Sequence, residues 1–109
     1  MATNYKVLGQ SNPAATTATT LYTVPAATQT IVSTVVIANL SAVTVTFRIA
    51  CRVAGAALAN SQYVAYDVSV GANDSTALTL GITLGATDVI TVYASTANLT
   101  FTAFGSELS

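Results

Sequence analysis

The chain has 109 residues, of which 52% are hydrophobic and only 6% charged, and its net charge is −1. Soluble domains usually carry charge on about a quarter of their residues, so this surface has to be built from Thr, Ser, Asn and Ala. The apolar content excludes a disordered chain, and three basic residues (Lys6, Arg48 and Arg52) are too few for a phosphate-binding stripe, so general nucleic-acid binding is not expected.

The opening MATNYKVLGQ has no cationic stretch followed by an apolar one, so no secretory leader is expected. Residues 4–8 (NYKVL) read as a short strand or an arm. Residues 10–20 (QSNPAATTATT) contain Pro13 and no apolar side chain larger than Ala, the composition of an extended surface linker. Residues 1–20 are therefore expected to form an extended N-terminal arm, and residues 21–109 a self-sufficient domain. Residues 21–24 (LYTV) form a strand stopped by Pro25, which cannot donate to a ladder. Residues 31–38 (IVSTVVIA) are apolar on both phases, the pattern of a central strand covered on both sides. That run is too short to span a membrane, which takes about 18 apolar residues or more.

Residues 43–53 (VTVTFRIACRV) alternate without a fault. Val43, Val45, Phe47, Ile49, Cys51 and Val53 share one phase, and Thr44, Thr46, Arg48, Ala50 and Arg52 the other. A period of two marks a strand with one buried face. It places the single cysteine inside as a small, unreactive hydrophobe with no disulfide partner, which suits a reducing compartment. The following loop contains Gly55 and is the one place where a helical turn fits. Residues 62–70 come next, with Val64, Tyr66, Val68 and Val70 assigned to the core. Matching apolar phases pairs Cys51 with Val64, Ile49 with Tyr66 and Phe47 with Val68. Arg48 then faces Asp67, and Arg52 faces Tyr63, on the outer surface.

A turn at residues 71–74 leads to a strand over residues 78–84, where Leu78, Leu80, Ile82 and Leu84 alternate with Thr79, Gly81 and Thr83. The glycines there weaken the strand or mark a bulge. After a turn at 85–88, strands 89–94 and 99–104 are joined by a four-residue hairpin loop. Seven or eight strands at a spacing of about ten residues predict an all-β fold, a single antiparallel β-sandwich or jelly roll.

No catalytic constellation is visible. Histidine is absent, and Asp67, Asp74, Asp88 and Glu107 lie on separate elements, with Asp74 and Asp88 placed as turn formers. Their spacing does not match a calcium loop, and a serine without a base is inert. No catalytic residue, metal or cofactor is expected. Asn39, Asn73 and Asn98 each open a glycosylation pattern, all within predicted turns. The five tyrosines and three phenylalanines are assigned mainly to the core, which leaves Tyr22 and Tyr63 as candidate surface contacts.

The segments LYTVPA (21–26), VVIANLS (35–41), FRIA (47–50), DVITVYAS (88–95) and FGSE (104–107) resemble small virion structural proteins of tailed bacteriophages, cyanophages among them. The resemblance covers most of the chain from Leu21 onward. It implies a non-catalytic β-sandwich that decorates or cements the outer surface of the capsid, or else belongs to the neck, tail or fibres. The implied partners are the major capsid protein and copies of this chain, as a dimer or trimer, with no nucleic acid and no membrane. The implied location is the particle exterior, after assembly in the host cytoplasm. Asn4, Tyr5, Lys6, Val7, Leu8 and Tyr22 are the expected partner contacts. From a different class, a carbohydrate-binding sandwich module is the alternative.

Overall fold

Alternation of apolar and polar residues builds two antiparallel sheets that face each other. The computed structural model describes residues 2–79 and 81–109. Its strands are β1 (Thr3–Ser11), β2 (Thr19–Thr23), β3 (Gln29–Asn39), β4 (Val45–Arg52), β5 (Tyr63–Val70), β6 (Ser75–Leu78), β7 (Ile82–Leu84), β8 (Val89–Ala94) and β9 (Leu99–Leu108). A five-stranded sheet runs β1-β9-β3, with β6 and β7 both on the far side of β3, and a four-stranded sheet runs β2-β8-β4-β5. The expected all-β sandwich is what forms.

The core lies between the sheets. Val32, Val35, Ile37, Leu99 and Phe101 from one sheet meet Val45, Phe47, Ile49, Ile90 and Val92 from the other. Phe47 and Phe101 stitch the layers with an edge-to-face contact, ring centroids 6.1 Å apart. At one end the buried Asn39 gathers three chain segments. Its amide donates to the carbonyls of Val43 at 2.8 Å and of Val70 and Gly71 at 3.1 Å, while its oxygen accepts from the Ser41 backbone and hydroxyl. Asn39 is thereby committed to the fold and is not a free glycosylation acceptor.

Several expectations are corrected. The expected N-terminal arm is not free over its described residues: β1 pairs with β9 from Thr3 to Ser11, and β2 begins at Thr19. A shortage of large side chains is no bar to structure here, because an edge strand needs mainly backbone hydrogen bonds. Gly9 lets β1 cross close to β2, since a Cβ there would run into the Leu21 carbonyl oxygen. β3 is central but covered on one face only, with Ile31 53% exposed. Its doubled apolar phase comes from a bulge at Ser33, so Thr30 and Val32 point inward before it and Val35 and Ile37 after it. The predicted 78–84 strand is two strands, broken around Gly81, and Leu80 lies outside the described residues. Val43 and Val53 fall beyond the ends of β4 and are exposed. The loop after β4 holds two short 3-10 turns, Val53–Gly55 and Asn60–Gln62.

Candidate functional site

The four-stranded sheet organises its outer face around Arg48, at the middle of β4. On one side β8 places Tyr93 directly opposite it. On the other side β5 is bulged: Phe47 pairs with Val68 but Ile49 pairs with Ala65, so Tyr66 and Asp67 together oppose Arg48. Asp67 supports the bulge with φ 51°, a left-handed conformation that Asp tolerates better than most residues. The expected register of Ile49 with Tyr66 and Cys51 with Val64 is therefore replaced. The Arg48–Asp67 ion pair forms nonetheless, with Nε donating to Oδ1 at 2.7 Å.

The same bulge turns Tyr66 and Val64 outward, against their expected place in the core, and Val68 is also partly exposed at the sheet edge. The Arg48 guanidinium lies over the Tyr66 ring at 4.1 Å and over the Tyr93 ring at 4.4 Å. Its hydrogen bond to Asp67 is the main reason its protonated form is held even more firmly than usual. Tyr63 packs edge-on to Tyr66, centroids 4.9 Å apart at 82°. Asn60 completes a shallow depression of about 400 Å³ beside this pair. Arg52 does not face Tyr63, because the register shift puts Ala50 there. Instead Arg52 clamps the adjoining loop, donating to the carbonyls of Ala56 at 2.7 Å and Gly55 at 2.9 Å.

The five-stranded sheet presents a different outer face. Tyr5, Ser106, Ile31 and Thr83 line up across β1, β9, β3 and β7, and Val7, Phe104 and Thr34 form the next row. Tyr5 is 85% exposed, Ile31 53%, Val7 47% and Phe104 38%. None of these side chains is charged. A depression of about 310 Å³ lies among Tyr5, Ile31, Thr83, Ser106 and Leu108.

The expected partner contacts divide accordingly. Tyr5 and Val7 are on this open face, and Asn4 is exposed on the opposite side of β1. Leu8 packs against the core. Tyr22 is buried, a correction, because the β2 bulge at Leu21 turns its ring inward. Its hydroxyl donates to Glu107 and hydrogen-bonds Thr30 at 2.8 Å. Lys6 is engaged too, 2.9 Å from the other Glu107 oxygen. The Tyr22 hydroxyl, then Lys6, hold the Glu107 carboxyl below its usual range, and burial, then Glu107, pushes Tyr22 up to about 12.

The remaining acids are spent on structure: Asp88 caps the Gly85 amide at 2.9 Å and the Ala54 amide at 2.8 Å, and Asp74 accepts from the Ser75 amide. Among the described residues no three metal-ligating side chains come together. Cys51 is half-buried, and burial, then the Asp88 charge, pushes its thiol up. The sequence carried no direct sign of the Arg48–tyrosine cluster, since strict alternation puts Tyr66 on the other face. Comparison with protein-family models, curated proteins and solved structures finds no match to this chain.

Proposed function

We propose that this chain is a non-catalytic structural protein of a bacteriophage virion, a capsid decoration protein that docks through the outer face of its five-stranded sheet. The observation that carries the reading is the uncharged patch in which Tyr5, Val7, Ile31 and Phe104 stand exposed on two adjacent rows of one face. Covering such a face gains apolar burial without desolvating ions, which is what a subunit laid on a protein lattice requires. The resemblance of the segments between Leu21 and Glu107 to phage virion proteins supplies the partner, the major capsid protein, with further copies of this chain alongside. A neck, tail or fibre position rests on the same face.

Electron microscopy of intact particles carrying the tagged chain distinguishes these. Copies over the whole head support decoration, copies at one vertex support the neck or tail, and absence from particles sinks both. Ile31→Glu should still fold, since Ile31 is already about half exposed, but lose particle binding.

A further inference from the structure

We propose that the corner formed by Tyr63, Tyr66 and Asn60, on the opposite face of the sandwich, binds a neutral pyranose of an oligosaccharide or polysaccharide chain. The two tyrosines stand perpendicular and Tyr66 is more than half exposed, which leaves aromatic surface for the apolar C–H side of a sugar and a second ring to limit its position. The same three residues line the depression, so two phenolic hydroxyls and the carboxamide of the exposed Asn60 are on hand as donors and acceptors for ring hydroxyls. The depression of about 400 Å³ has the volume of a small-ligand site.

Its parts are held before any ligand arrives. Tyr66 is 54% exposed, yet its ring is backed by Arg48, itself fixed by Asp67 and Tyr93. The loop that carries Asn60 is braced by Gln62, which accepts from the Ala59 amide at 2.7 Å and donates to the Ala57 carbonyl at 3.0 Å. Pre-ordered side chains lose little entropy on binding. Charge selects the ligand class: Asp67 neutralises Arg48, so nothing here favours a phosphate or a carboxylate. The register shifts in β5 spoil the straight edge that an added peptide strand needs.

The test is an amide NMR titration of the intact chain with maltotriose, cellotriose and triacetylchitotriose, each to millimolar concentration. At least one should give saturable shifts confined to residues 60–67 and Tyr93. Tyr66→Ala should weaken that binding about tenfold, the equivalent of one stacking contact. Tyr66→Phe should retain most of the binding, and Asn60→Ala should weaken it. If Tyr66→Ala does not give a folded spectrum, the loss expected of Asn60→Ala carries the comparison. No saturable shift with any of the three sugars, shifts elsewhere on the surface, or binding indifferent to Tyr66→Ala and Asn60→Ala overturns the proposal. Particle docking uses the other sheet, so neither result decides the other.

Discussion

Glu107 and Tyr22 couple the two sheets through a buried polar contact, and each makes stability depend on pH in a defined direction. The folded chain holds Glu107 ionised below its ordinary value of 4.5, so the unfolded chain takes up the proton first as pH falls. The stability it contributes is complete above that value and is lost as pH drops towards the depressed folded value. Glu107→Gln should flatten this acid limb in a plot of denaturation midpoint against pH. Tyr22 has the opposite sense. Its pKa rises from 10.0 to about 12 on folding, so the unfolded chain ionises first and stability falls as pH climbs between those values. Tyr22→Phe should remove that alkaline loss. Asn39 matters at any pH. Asn39→Ala strands buried carbonyls at the junction of β3, β4 and β5 and should cost about 2–3 kcal/mol in urea unfolding.

Bulges decide how the elements work. β1 and β3 are both bulged where they meet Phe104 of β9, and there the chain of β9 passes very close to β3. A Cβ on Gly105 would run into the Ile31 carbonyl oxygen, and the next atoms it meets are also β3 backbone, with no flexible side chain to yield. Gly105→Ala should therefore destabilise by about 1–3 kcal/mol, measurable as a lowered thermal midpoint. In β5 the bulge sets two residues against Arg48, which is how one strand supplies both the ion pair and the stacked ring. Cys51, near the end of β4, is half-buried with a disfavoured thiolate. It should react with a thiol reagent much more slowly in the folded chain than in denaturant.

For the molecule as a whole, the two outer faces are chemically distinct: one an uncharged mix of exposed apolar and hydroxyl side chains, the other a tyrosine cluster around a neutralised arginine. A subunit with one face on a lattice and the other free to meet its surroundings fits that division. The N-terminal residues belong to the body of the domain, since β1 pairs along β9 and Lys6 shields Glu107. Deleting residues 1–20 should leave a chain that fails to give a cooperative unfolding transition, because it removes an edge strand, part of β2 and the cover over the core at Leu8.

The amino-acid sequence by itself determined that the fold is an all-β sandwich and roughly where its strands and turns lie. Alternation and turn residues are local properties, readable at Val45–Arg52 or at the Gly85–Asp88 turn without knowing any neighbour. The Arg48–Asp67 partnership was legible too, because the two strands are consecutive and their charges are nearly alone. Only the tertiary structure decided the inward or outward sense of Tyr66, Tyr22 and Ile31, and with it the content of both outer faces. Each of these residues lies near a bulge, and a bulge shifts the side-chain phase by one residue. Where it falls depends on cross-strand packing, such as Gly105 against Ile31, between residues far apart in the chain. The same holds for β1, whose residues 4–8 read equally as a short strand or an arm and which becomes a strand because β9 offers it a ladder of backbone hydrogen bonds.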